Sequence, residues 1–320
     1  MREKLKAGYY LLLDALGRDA WLLERIKREK LLVVLNLHQV SPHENPFWPP
    51  LHPKIFDGLL EFLKAHFEIV LFGDPQATKN EKPLAILSFD DGYHNFVEYA
   101  VPLLEKHGVR ANMNIIPACV ESGQPVWNVQ LYDFLKAAPR ALIDEITFPG
   151  IDLRLKNERY ESKVHYGLGI SRFLKNRPRN ERCELWKGLE RIMQRHEFSF
   201  TRMMNRQEVL QISESNDVGA HSYSHESMEF EDNSFFENDL AKCHEYFREQ
   251  LNLPLETYAF PNGSFRSEQV AILENNGIRN ILIVGEDFSR PNNSIFSRFT
   301  IYGSSIGEVK YQALGINKKS

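Results

Sequence analysis

The sequence predicts an α/β protein built on parallel strands. Short apolar runs alternate along the chain with segments of helical spacing, the order that pairs strands in parallel across helical crossovers. The run Leu84-Ala85-Ile86-Leu87 is apolar at neighbouring positions, as in a strand buried on both faces. Size agrees: 320 residues, 42% of them hydrophobic, can bury a sizeable core. A net charge of −4 and a pI near 6.3 show no basic field, so a nucleic-acid partner is not expected. Cys119, Cys183 and Cys243 stand far apart without metal-like spacing, which reads as free thiols in a reducing compartment.

Residues 1–30 carry Leu5, Leu12, Leu13, Leu16 and Leu23 among Lys and Arg, the pattern of an amphipathic helix. It can pack on the domain or make a peripheral membrane contact. Neither a signal peptide nor a spanning segment is apparent, so the expected location is the cytoplasm, including the inner membrane surface. Leu31–Leu37 reads as a strand ending at His38, and Ser41–Pro53 as a Pro-rich loop holding Phe47 and Trp48. Residues 54–66 have helical spacing, and Ile69–Phe72 reads as a short strand. After the run at Leu84 comes a helix to His107 capped by Gly108, then a strand at Asn112–Ile116.

Residues 121–205 break the alternation and read as an insertion. It has a hairpin at Ile146–Leu155 around Pro149-Gly150 and charged helices near 161–175 and 181–196. Asn205 and Glu208 form a capping-box start that leads to the next strand. Phe235–Gln250 reads as a helix and Thr257–Phe260 as a strand. Ser264 is the expected cap of a helix ending at Gly277. Strands follow at Asn280–Val284 and Phe296–Ile301, and Ser305 caps a closing helix that ends at Gly315.

Two stretches concentrate chemistry. Asp90 and Asp91 are adjacent carboxylates at a strand end; they repel unless a cation sits beside them, and Gly92 lets the backbone turn away. The plainer reading is a polar junction with an Asp helix cap. His221 and His225, four apart, can share one face of a helical turn and one metal ion, although paired surface histidines are also common. Together they offer a carboxylate and two imidazoles to a divalent ion, with open positions for water and a second carboxylate for protons.

In these motifs the chain resembles the polysaccharide deacetylase family. Ser88-Phe89-Asp90-Asp91-Gly92 matches its first motif, His221-Ser222-Tyr223-Ser224-His225 its second, and Pro261-Asn262-Gly263 its third. The resemblance covers residues 31–316, insertion included. It implies a distorted TIM-like (β/α) barrel and removal of acetyl groups, above all N-acetyl, from an acetylated sugar or glycan. It further implies that Asp91, His221 and His225 hold one divalent ion, Zn²⁺ first, with Ni²⁺ or Co²⁺ able to compete. Asp90 would be the general base, while Pro261, Asn262 and Arg298 belong to the substrate side, Arg298 as an orienting partner beside Asp90.

Two departures stand out. Where many relatives carry an Arg ahead of the third motif, this chain has Tyr258-Ala259; and no His follows His244, where relatives place a late proton donor. His38, at the end of the first strand, is the candidate to replace it, with Glu286, Asp287 or water behind it. Two other readings stay open: a carbohydrate-binding protein that has lost turnover, and a hydrolase of a non-sugar amide.

Overall fold

The computed structural model describes residues 2–74, 82–177 and 179–318. Its strands are β1 (Leu32–Leu37), β2 (Glu68–Ile69), β3 (Leu84–Asp91), β4 (Asn112–Ile115), β5 (Asp217–Ala220), β6 (Thr257–Ala259), β7 (Asn280–Val284) and β8 (Ile295–Thr300). All their pairings are parallel. β1 pairs with β3 from Leu32↔Leu84 to Leu37↔Phe89 and with β8 at Leu35↔Phe299, so seven strands close into a barrel. The two-residue β2 stays outside that ring. It flanks the lower end of β3 at Glu68↔Leu84, while β4 takes the upper end at Asp91↔Ile115. Closure is thinnest between β5 and β6, which share the single pair Ala220↔Tyr258. The distorted (β/α) barrel expected from the motifs is the observed fold.

The alternation of side chains along β1 and β3 explains why both strands read as unbroken apolar runs. Leu32, Val34, Leu84 and Ile86 plug the barrel interior with Leu282 and Phe296. Val33, Leu35, Leu37, Ala85, Leu87 and Phe89 point the other way, into the layer shared with the helices. Toward the mouth the interior turns polar. Asn36, Ser88, Asp90, Asn112, Asn114 and Arg298 are all buried, and Ser88 Oγ donates to Asn112 Oδ1 at 3.0 Å. The site therefore grows out of the upper half of the barrel core.

The insertion has its own hydrophobic cluster, including Leu131, Phe134, Leu135, Ile170 and Leu174. Phe47 of the Pro-rich loop fastens it to the barrel by stacking on Tyr132 at 4.7 Å. Its helices at Tyr160–Lys175 and Arg179–Met193 fall where the spacing placed them.

Several local expectations need correction. Residues 1–30 form two helices, Arg2–Ala15 and Arg18–Arg28, because Gly17 takes a left-handed conformation (φ 66°) between them; the Leu5 side chain lies outside the described residues. Around Pro149-Gly150 there is a turn with one isolated bridge, Phe148↔Ile151, and no paired strands. The strand expected at Ile69–Phe72 is confined to Glu68–Ile69. Ser264 does not cap a helix: its hydroxyl accepts from the Glu229 N–H, and the helix begins at Ser267, with Gln269 Oε1 accepting from the Arg266 N–H.

Candidate active site

Asp90 lies at the upper end of β3 and is 1% exposed. Its Oδ1 accepts from Asn114 Nδ2 and Arg298 Nη1, both at 2.8 Å; Oδ2 accepts from Arg298 Nη2 at 2.8 Å. Burial alone would push this carboxyl up. The Arg298 charge, then His221 and the Arg298 hydrogen bonds, outweigh it and hold Asp90 well below the usual carboxylate range. Arg298 is fully buried behind Asp90, fixed also to Ser88 Oγ at 3.2 Å. The Arg absent ahead of Tyr258 is thus matched by one from β8.

Asp91 and Gly92 both adopt left-handed backbone, φ 77° and 80°, which swings the chain off the strand. For Asp91 this is a strained conformation, and it brings Oδ1 to 3.5 Å from both His221 Nε2 and His225 Nε2. The histidines do not sit on a helix. They flank a tight loop after β5 in which Ser222 (φ 62°) and His225 (φ 60°) are also left-handed. A residue outside every motif, Asp239, holds this loop. Its buried carboxylate accepts from the Tyr223 N–H at 2.8 Å and from the Ser224 and Ser222 hydroxyls at 2.9 and 3.2 Å; Ser222 Oγ in turn accepts from the His225 N–H at 3.0 Å.

The donor set fits a cation. His221 Nδ1 lies 2.9 Å from the Ala259 carbonyl, which can only accept, so Nδ1 carries the hydrogen and Nε2 offers a lone pair toward Asp91. Burial, with His221 next, pushes the His225 imidazole down to about 3 and leaves it neutral. Asp91 Oδ1 is buried with no hydrogen-bond partner. One ligand atom from each of the three residues falls within 4.8 Å of the others, an arrangement that is repulsive without a positive charge.

A pocket of about 210 Å³ opens over this group, lined also by His38, Trp48, Tyr132, Lys175 and Asn262. His38 is half-buried and lies edge-on to Trp48, ring centres 5.2 Å apart; burial pushes its imidazole down while Asp91 and Asp90 pull it up. Asn262 takes left-handed backbone (φ 57°) and donates to Ser227 Oγ at 3.0 Å. Pro261 is buried and, like Arg298, is not on the pocket lining. Glu286 and Asp287 are also off it: Glu286 Oε1 accepts from the Thr300 N–H and Asp287 pairs with Lys318 at 2.8 Å. Lys175 lies outside every motif. It ends the insertion helix Tyr160–Lys175 and donates to Asn262 Oδ1 at 3.0 Å.

The polysaccharide deacetylase family model matches residues 189–281. This span holds the His loop and Pro261-Asn262-Gly263, and the Asp90-Asp91 motif lies ahead of it. No functionally curated protein matches the chain. Among solved structures it is similar to the Streptococcus pyogenes deacetylase PplD in complex with acetate, at 13% identity over 88% of this chain and 98% of that one, TM-score 0.57. It is similar also to IcaB from Ammonifex degensii, at 16% identity over 89% and 97%, TM-score 0.53. A polysaccharide deacetylase from Bacillus cereus, BC0361, aligns at 11% identity over 88% of this chain and 69% of that one, TM-score 0.54. At these identities the structures speak for the fold; together with the family match they bear out the resemblance seen in the motifs.

Proposed function

We propose that this protein is a metal-dependent hydrolase that removes acetyl groups, N-acetyl above all, from a carbohydrate or glycan intermediate. The observation that carries the reading is the buried, unpartnered Asp91 Oδ1 facing two imidazole nitrogens, beside a second carboxylate whose own hydrogen bonds are supplied by Arg298 and Asn114. Asp91, His221 and His225 would hold one divalent ion, Zn²⁺ first; bound there, it would lower the pKa of a water towards ~7 and polarise the acetyl carbonyl.

The chain's own groups divide the remaining work. Arg298, beside Asp90, favours its carboxylate form. Asp90 Oδ1 takes two donors and its Oδ2 one, so Oδ2, 3.9 Å from His221 Nε2, has the lone pair free to accept the proton of the attacking water. Arg298 touches no substrate; it positions Asp90 and keeps it charged. His38 is the donor proposed for the leaving amine. Asn262 and Lys175 form the rim that orients the sugar, with Pro261 buried next to Asn262 in the chain.

The test is acetate release from a panel of N- and O-acetylated sugars and glycan intermediates, run beside elemental analysis. One equivalent of divalent metal and acetate from at least one N-acetyl sugar are expected. Full metal with no acetate from any member would favour a binding protein of this fold, and turnover of non-sugar amides alone would move the substrate class.

A further inference from the structure

We infer that the first helix seats the protein on an anionic membrane surface and that its substrate is an acetylated sugar carried on a membrane lipid. The second half rests on the deacetylase reading above; the first does not.

The first helix is amphipathic in the reverse of the usual sense. Lys6 and Asp14 turn toward the protein: Lys6 pairs with Glu308, while Asp14 accepts from Lys310 Nζ at 2.6 Å and from the Tyr311 hydroxyl at 2.8 Å. Tyr10 stacks on Tyr311 between them. The opposite face carries Tyr9, Leu11, Leu12 and Leu16, which are 51, 70, 56 and 71% exposed. Trp21 on the next helix is 50% exposed under the Arg18 guanidinium, 4.1 Å from its ring centre. A contiguous apolar face of this kind is a contact surface.

Charge selects the occupant. Residues 1–30 hold eight Lys and Arg against five Asp and Glu in a chain whose net charge is −4. A second copy docked face to face would set this positive segment against itself. An anionic leaflet complements it, with leucines in the acyl boundary and Trp21, under the exposed Arg18 guanidinium, at the headgroups. Among the described residues no helix is long and apolar enough to cross a membrane, so the contact is peripheral.

A second cavity runs from the catalytic pocket to the inner side of the first helix, at Lys6 and Glu308. It measures about 840 Å³ and has Lys6 of the first helix and the 56%-exposed Tyr302 on its wall. It shares His38, Trp48 and Thr300 with the catalytic pocket. Pro46, Pro50, Leu51 and Ile55 make much of its lining apolar. A sugar in the catalytic pocket would therefore have a partly apolar path for its anchor leading out beneath the first helix.

The test uses the full metal-loaded chain and the double variant Leu12→Asp/Leu16→Asp, whose substitutions lie on the outer face, away from the site. Wild type should co-sediment with phosphatidylglycerol-containing vesicles, more weakly with phosphatidylcholine alone or at high salt. The variant should lose at least ~10-fold in vesicle affinity, because two leucines leave the acyl region. Its melting temperature and aryl acetate turnover should be unchanged, while acetate release from an N-acetylglucosaminyl lipid in those vesicles falls ~10-fold or more. Wild type that ignores the vesicles, or a variant that binds them equally well, overturns the membrane contact. So does a wild-type dimer that the variant dissolves without any vesicle binding. Acetate from soluble acetyl sugars but none from the lipid-linked one overturns the substrate assignment alone. Acetate from nothing, with aspartate-sensitive vesicle binding, sinks the deacetylase reading and the substrate with it, and supports the surface.

Discussion

The barrel wall and the insertion wall of the catalytic pocket hold their polar groups differently. On the barrel side, Asp90 is held by three hydrogen bonds from Arg298 and Asn114, and the His loop is pinned by a buried carboxylate. These groups grow from strand ends in a closed ring and have little freedom to move. On the insertion side, Lys175 ends a helix and, among the described residues, makes one hydrogen bond, to Asn262, leaving two ammonium donors for a ligand. The first wall suits bond-breaking, where sub-ångström placement decides rate. The second suits recognition, where a long cation can follow different ligands. If that division is right, barrel variants should act on turnover and insertion variants on affinity.

The largest effect belongs to His221→Ala. It removes a proposed ligand whose second nitrogen is fixed on Ala259, and elemental analysis should show stoichiometric metal lost, with deacetylation lost alongside. A mutant that keeps a full equivalent would mean another ligand set. Asp90→Asn comes next. The amide nearly preserves size but cannot accept the proton, so turnover should fall ~10²–10⁴ with metal retained. Near-normal rates with metal bound would remove Asp90 from the chemistry and break the barrel half of the comparison.

His38 tests whether the proton donor also belongs to the barrel. A leaving amine must be protonated as the C–N bond breaks, whereas an aryl oxyanion leaves unaided. His38→Gln should slow amide substrates ~10²–10⁴ and spare an aryl acetate. Equal losses on both would assign His38 to positioning. No loss on either would pass the proton to Lys175 or water, since Glu286 and Asp287 are off the pocket.

Acid should weaken the barrel wall before the rest. Burial, helped by His221, lowers the folded His225 to about 3 from its ordinary 6.5. Between those values the unfolded chain binds the extra proton, so stability is full above 6.5 and drains as pH falls toward 3. Asp90, lowered from 3.8, adds a loss of the same sign at the acid end. The Tm of metal-free protein should decline across this window, and His225→Asn should flatten its upper part. A slope indifferent to that change would place the acid sensitivity elsewhere.

How legible each wall is in the sequence follows from the same contrast. Parallel strands covered on both faces leave unbroken apolar runs, so β1 and β3 could be read directly. The Asp pair and the His pair are local in sequence because each sits at one strand end. The four-residue His spacing suggests a helical turn, but left-handed Ser222 and His225 make the loop, and left-handed backbone at non-glycine residues leaves no mark in composition. Asp239 had a faint signal: it shares a helix stripe with Phe236, Leu240 and Cys243, a carboxylate where an apolar residue is expected. Lys175 had none, because it reaches the site through the packing of a separate core against Phe47.

The smallest expected effect is the one that most directly separates the two walls. Lys175 is half-buried; burial lowers its ammonium while Asp91 pulls it back up, and it donates to the side chain of Asn262. Lys175→Met keeps the aliphatic stem and removes the donors. A charged hydrogen bond to substrate is worth about 2 kcal/mol, so KM should rise ~30-fold with kcat nearly unchanged. Measuring both constants on an acetyl sugar and on an aryl acetate sharpens the reading, because a small ester lacks the sugar that Lys175 would hold and should show no change in KM. A fall in kcat of ~10² on the amide at constant KM would instead make Lys175 the proton donor and put chemistry on the insertion wall.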